Sequence, residues 1–438
     1  MSFSTVEVSF PDERTAIGVH TMVNEPSDLD SLCGWLDQSP TPFHVVNSAM
    51  LTLKEAGFSE KVSSSDDPQA KGFIRRDGMI IAWQSASRST EQLAVVGAHT
   101  DSPNLRLHPR PDIHSGHWNQ LGVEIYGGVL LNSWLDRDLG VAGVALTRDG
   151  TQHLFASDTA VARIPQLAIH LDRDVNDKGL VLDRHNHLRP IWATSLDLEF
   201  NVWLAHCVGC PSDDIVSFDA QLFDVTPAAL IGADASLLAS GRLDNQLSCW
   251  AAIDALVRSE AAEYTAQVVA LFDHEEVGSA SPHGASGPAL ERLLRQLCGA
   301  SSDAQWDDIV NRSLMVSADN AHSLHPNYPE RHEPRHAPIV NGGPVVKTNA
   351  NQRYATTAST VAAIEMTAQR AGVHLQHFVS RNNIPCGSTI GPLSATRIGI
   401  PTVDIGVAQL SMHSAREMCG AHDPSLLRNL LVSHFHDR

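Results

Sequence analysis

The sequence predicts an α/β protein, built on a mostly parallel central sheet flanked by helices and interrupted by an inserted β-rich segment. Three observations predict it. Short apolar, β-branched runs recur along the chain and each stops at a polar residue, as buried parallel strands do when they deliver polar groups to their carboxyl ends. Helical patterns separate those runs, the alternation expected of helices layered on a parallel sheet. Between about Leu105 and Leu238 the alternation gives way to short strand-like runs joined by turn residues.

In chain order, the segment up to about residue 60 reads as helices that complete the layer against the sheet. Gln92–Ala98 (QLAVVGA) is the first buried strand and stops at His99 and Asp101. Gln267–Phe272 runs into Asp273-His274-Glu275-Glu276, Ser313–Ala318 into Asp319, and Thr402–Gly406 precedes a loop that reaches His413. Ser248–Arg258 and Ser359–Arg370 carry helical patterns, the second closed by Gly372 as a C-cap. In the β-rich stretch, Gly122–Leu131 and Val141–Leu146 read as strands, with Asp149-Gly150 supplying turn chemistry. Strand-then-polar units lie on both sides of that stretch. The economical organisation is therefore one α/β domain formed by residues 1–104 and 239–438, with 105–238 inserted into it. There is no internal repeat and no low-complexity tract.

The chain has 438 residues, of which 42% are hydrophobic and 18% charged, the composition of a folded globular protein long enough for more than one core. Its net charge of -19 repels a phosphate backbone or an anionic bilayer at long range, which weighs against nucleic acid and membrane partners. No stretch of about 18 uncharged apolar residues is present, and Glu7, Asp12, Glu13 and Arg14 stand where a signal peptide needs an apolar run. The seven cysteines are scattered and odd in number, so they form no disulfide framework, and a reducing cytoplasm is the expected setting. Cys207 and Cys210 make one CxxC without the second pair that a structural zinc site needs.

Histidine is common here, 23 in all, so position counts for more than identity. His99-Thr100-Asp101 sets an imidazole beside a carboxylate at a strand end, the arrangement in which an acid orients a metal-binding histidine. Glu275 and Glu276 are adjacent carboxylates after an apolar strand, and they repel one another unless a cation divides their roles. Asp244 precedes a helix and by itself reads as an N-cap. Asp319 follows an apolar strand, and His413 lies near the last one. Each has an ordinary explanation singly. Together they are two histidines and several carboxylates at successive strand ends, the ligand set of a two-metal hydrolase.

These motifs carry a resemblance that covers nearly the whole chain. His99-Thr100-Asp101-Ser102-Pro103, Arg242-Leu243-Asp244-Asn245, Asp273-His274-Glu275-Glu276-Val277-Gly278-Ser279, Ser317-Ala318-Asp319-Asn320-Ala321-His322, Pro385-Cys386-Gly387-Ser388-Thr389-Ile390-Gly391 and Met412-His413-Ser414, with Arg416-Glu417 after it, stand in the order of the aspartyl aminopeptidases. The sequence resembles that family of co-catalytic dizinc peptidases. The resemblance implies a dizinc exopeptidase fold whose inserted β-rich domain serves dimerisation. Asp244 is then expected to bridge two divalent metals, with His99 and Asp319 completing one site and Glu276 and His413 the other. Zinc is the expected metal, although carboxylate-rich sites also accept manganese or cobalt.

Further roles follow from the same resemblance. Glu275 is the expected general base, and Asp101 holds the His99 ring. Water between two cations roughly 3.5 to 4 Å apart loses its proton near neutral pH, and Glu275 would pass that proton to the leaving amine. The substrate is then a peptide with an acidic first residue, whose carboxylate needs a further cation in so negative a chain. Lys347 matches the family's lysine for that purpose, though without the resemblance it reads as a solvated surface lysine. His322 and His170 add donors, His170 from the insert of a neighbouring subunit in a dodecamer built from dimers. One departure stands out: Asn383 replaces the aspartate usual four residues before the glycine of Cys-Gly-Ser-Thr. The rival expectations are a dizinc exopeptidase of neutral or broad preference and a catalytically silent metal-binding scaffold.

Overall fold

The computed structural model describes residues 28–61 and 70–436, so the charged residues of the extreme amino terminus lie outside it. Its centre is a nine-stranded sheet. Four neighbouring strands at its middle, Thr265–Phe272, Gln92–His99, Leu314–Ala318 and Thr402–Gly406, are parallel. Antiparallel strands continue it on both sides, Met79–Gln84 and Lys71–Arg76 on one and Val345–Thr348 on the other.

The middle strands are buried on both faces and mostly apolar because helices cover both faces. Alternate side chains of one strand enter different cores, as a period of two demands. Ala94, Val96 and Ala98 join a core with the helices Asp28–Gln38, Pro42–Glu55, Leu243–Arg258 and Asp423–Phe435. Leu93 and Val95 point the other way, into a core with Leu294, Trp306 and Ile398. The helix expected at Ser359–Arg370 spans Ala358–Ala371, begins with a capping box at Thr357 and ends on left-handed Gly372. The register sets Phe272 beside His99 and Ala318 beside Ile405, so the strands end together and their following loops share one rim.

Residues 104–224 build a second, six-stranded sheet, with Val141–Leu146 inside the strand Leu139–Thr147. Strand character does not continue to Leu131 as the sequence suggests. The strand Trp118–Tyr126 stops where Gly127 takes a positive φ of 73°, and a single 3-10 turn follows at Leu131–Trp134. A third sheet ties Ala229–Ile231 and Leu237–Ser240 to the carboxyl-terminal strands Glu417–Gly420 and Ala408–Leu410. The core of the six-stranded sheet is aromatic around fully buried Phe200, whose ring lies 5.0 Å from Phe218 and 5.5 Å from Trp203 between centroids. Phe200→Ala should cost about 3–5 kcal/mol, read as a lower urea midpoint by tryptophan fluorescence. A loss under about 1 kcal/mol would mean that this packing is not what holds the segment together.

Candidate metal centre

The loops at the shared rim bring His99, Asp244, Glu275, Glu276, Asp319 and His413 together in one cleft of about 600 Å³. His99 is the last residue of its strand. Its Nδ1 lies 3.0 Å from the Asp101 backbone oxygen and 3.4 Å from the Asp101 carboxylate. That fixes the tautomer and turns Nε2 into the cleft, 3.4 Å from Asp244 Oδ1 and 3.9 Å from Asp319 Oδ2. The Asp101 carboxylate does more than face this ring. It accepts a hydrogen bond of 2.8 Å from the Tyr126 hydroxyl and bonds of 3.1 Å from the backbone N–H groups of Glu275 and Glu276.

Asp244 is not an N-cap. It and Asn245 have non-helical backbones at the start of Leu243–Arg258, the peptide between them is cis, and the carboxylate points into the cleft. Its Oδ2 lies 3.6 Å from His413 Nε2, so the one carboxylate faces both imidazoles. The Asn245 side chain donates to Ala318 O at 2.8 Å, which ties this turn to the strand end that carries Asp319.

His413 has a left-handed backbone (φ 66°) and sets Nε2 3.5 Å from Glu276 Oε1. Its Nδ1 lies 3.0 Å from Gly128 O, a carbonyl of the β-rich segment. Beside it, a side chain at Gly127 would meet Glu276 Cβ at 3.0 Å and its own φ is positive, so glycine is required. Three consecutive residues, Tyr126 to Gly128, thus brace Asp101, Glu276 and His413.

Two groups of three ligand atoms emerge, His99/Asp244/Asp319 and Asp244/Glu276/His413, each with its atoms within 4.8 Å of one another and Asp244 in common. A third grouping, His99/Glu275/Glu276, meets the same limit. The electrostatics mark where positive charge belongs. Burial pushes the Glu275 carboxyl up to about 7, with Asp319, Asp101 and Asp244 adding to the rise. Burial likewise holds Glu276 well above its ordinary range. Burial opposes charging of the imidazoles, yet the surrounding carboxylates raise His99 and bring His413 to about 10. Asp244 Oδ1 is buried and accepts no hydrogen bond. Imidazole and carboxylate donors with a deficit of positive charge and an orphaned oxygen at the shared position fit divalent metal.

Lys347 is not a surface lysine: it is 1% exposed. Its Nζ donates to Asn320 O at 3.1 Å and lies 3.4 Å from Asp319 Oδ1 at the floor of the cleft. His322 lines the same cleft, edge-on to Phe378. His170 does not join them. It is exposed on the β-rich segment and is not part of the cleft lining within one chain. Asn383 is exposed on a turn outside the cleft.

Glu417 entered the sequence reading only as part of the motif that follows His413, with no role assigned to it. It is 2% exposed, and its two oxygens accept from the backbone N–H groups of Asp244 at 2.9 Å and His413 at 2.7 Å. An acidic residue four positions after His413 does not by itself reveal that its carboxylate receives two backbone N–H groups. Tyr126 and Gly128 were missed for a similar reason, since a tyrosine at a strand end and a carbonyl have no motif.

Known proteins resemble this chain in sequence and in fold. Residues 35–435 match the family model for aminopeptidase I zinc metalloproteases, M18. The probable M18 family aminopeptidase 2 of Streptomyces coelicolor is 46% identical over 418 residues, covering 92% of this chain and 96% of that protein. Among solved structures, the cryo-EM structure of the Ape4 and Nbr1 complex aligns with a TM-score of 0.88 at 34% identity over 93% of this chain and 85% of that one. The S. cerevisiae mApe1 dodecamer aligns with a TM-score of 0.81 at 26% identity, covering 94% and 96%. No helix among the described residues is long and apolar enough to cross a membrane.

Removing Glu417 strands the backbone donors of Asp244 and His413, two of the candidate ligands. Glu417→Ala should weaken zinc binding about 10–100-fold in a chelator competition, while Glu417→Gln, which keeps an acceptor, should lose less. Equal affinity in all three proteins would show that the carboxylate does not position the ligands.

Proposed function

The chain belongs to the M18 family of aminopeptidase zinc metalloproteases, and we propose that it releases acidic residues, aspartate and glutamate, from the amino ends of peptides by a two-metal mechanism. The observation that carries this reading is a single cleft holding two ligand triads that share Asp244, a free carboxylate beside them and a buried lysine. His99, Asp244 and Asp319 would hold one ion, and Asp244, Glu276 and His413 the other. The pair, when bound, supplies an acidified water and polarises the scissile carbonyl.

The remaining work falls to this chain's residues. Glu275 belongs to neither of the two triads that share Asp244, and its raised pKa suits a group that takes a proton and returns it. It accepts the proton of the attacking water as the C–O bond forms and delivers it to the leaving amine as the C–N bond breaks. Asp101 acts at one remove, by holding the His99 ring and the backbone of Glu275 and Glu276. Lys347 offers the acidic side chain a cation in a site otherwise lined by carboxylates, with His322 as a further donor at the floor.

One observation favours a second reading, a neutral or broad preference: Lys347 already lies within 3.4 Å of Asp319 and so has part of its charge offset. A silent scaffold is disfavoured by Glu275, which stands in place with no structural partner for its carboxylate among the described residues.

Self-association, in a dodecamer built from dimers through the insert 105–238, is supported by the S. cerevisiae mApe1 dodecamer among its structural relatives and by exposed Leu167, Ile169, Leu171 and Val181 around His170. His170 would then serve the cleft of a neighbouring subunit. The setting is the cytoplasm.

Hydrolysis of Asp-, Glu-, Leu- and Lys-led chromogenic amides, before and after chelation and zinc add-back, tests the assignment. Activity confined to Asp and Glu and lost on chelation is expected; equal rates on Leu would establish the broad reading. Glu275→Gln should lower kcat about 10²–10⁴-fold with zinc content unchanged, and an active variant would remove Glu275 from the proton path. Lys347→Ala should reduce kcat/KM on Asp- and Glu-led amides far more than on Leu-led ones, and equal losses would unseat Lys347 as the specificity residue.

A further inference from the structure

A second cavity, of about 260 Å³, opens off the catalytic cleft and shares His322, Tyr354 and Gly387 with it. Its far wall carries Arg381, Arg331 and His332. Arg381 is half-buried, and its guanidinium makes no hydrogen bond or ion pair among the described residues, an uncommon state in a chain of net charge -19. Arg331 sits at the rim with only a loose contact to Glu330, 3.8 Å away. The His325 backbone N–H donates to His332 Nε2 at 3.1 Å, so the neutral ring carries its proton on Nδ1 and remains a donor. The one carboxylate of the wall, Glu333, is engaged by the His336 ring at 2.6 Å and the Arg335 N–H at 3.0 Å. Neighbouring Asn383 adds no charge.

We infer that this side cavity is a subsite for a second carboxylate of the substrate, downstream of the scissile bond, with Arg381 as its principal counter-ion. The carboxylate comes from one of two sources, the free carboxyl end of a dipeptide or an acidic side chain at the second residue. The metal centre and Lys347 already account for the amino end, whereas the cavity lies beyond the His322 and Tyr354 rings and holds no ligand-type carboxylate aimed inward. A guanidinium there pairs with a carboxylate in two parallel bonds, which a neutral amide cannot reproduce. The inference rests on the aminopeptidase reading but not on its acidic first-residue preference.

The test compares kcat/KM on matched pairs: Asp-Ala with Asp-Ala amide, and Asp-Glu amide with Asp-Gln amide. Wild type should favour the carboxylate in at least one pair, the first identifying a free carboxyl end and the second a side chain. Arg381→Gln should reduce that ratio about tenfold or more, chiefly through KM. Arg381→Lys should restore part of it, and Asn383→Asp, which sets a carboxylate beside an intact Arg381, should shift the ratio the same way as Arg381→Gln. An unchanged ratio in Arg381→Gln overturns the inference. So does an equal loss on Asp-anilide, which lacks any second carboxylate and would place the first side chain in the cavity. If wild type prefers Leu-led peptides, the same pairs with leucine leading separate the two readings.

Discussion

The fold is arranged around one electrostatic constraint: Asp244, Glu275, Glu276 and Asp319 converge at the ends of parallel strands, where water cannot screen them. Four like charges so placed are tolerable only if cations or protons intervene. The two imidazoles go some way, and both are driven toward the charged form by the carboxylates around them. They face the two oxygens of Asp244 from 3.4 and 3.6 Å, and two single charges still fall short of four carboxylates. Divalent metal removes the strain of the whole set at once, which is why geometry and charge lead to the same assignment here.

Holding such groups in place requires a second layer that is itself polar and buried. Glu417 receives the N–H groups of two ligands, Asp101 receives those of Glu275 and Glu276, and Asn245 and Asn320 bind carbonyls of neighbouring segments. Nearly every contact runs from a side chain on one strand end to the backbone of another. The ligands are therefore set by the register of the sheet, and a change in any one loop is felt at the others.

Much of this was legible in the sequence because the middle strands are buried on both faces. Thr402–Gly406 matches its strand end to end, and Gln92–Ala98 falls one residue short only because His99 still pairs with Phe272. The ligand residues announced themselves as polar groups placed where apolar runs stop. What stayed hidden were features without periodicity. The helix at Leu243 was expected later, from Ser248, since the turn at Asp244 and Asn245 serves the cleft rather than the helix. Lys347 lies in a short strand whose burial on both sides no local pattern reveals. The bracing by Gly128 joins residues 285 positions apart in sequence, and that by Tyr126 joins residues 25 apart with no pattern to mark them.

That last contact changes how the β-rich segment should be regarded. A domain that only mediated association would touch the catalytic sheet through interchangeable surface. Here its Tyr126 hydroxyl, Gly127 backbone and Gly128 carbonyl meet an outer carboxylate and two ligands, Glu276 and His413, of one triad. The group of His99 and Asp319 leans on the parallel sheet and Lys347, and also on the same segment at one remove, because Tyr126 donates to the Asp101 carboxylate that faces the His99 ring. Both sides of the centre thus depend on where residues 126–128 rest, the Glu276 and His413 side directly and the His99 side through Asp101.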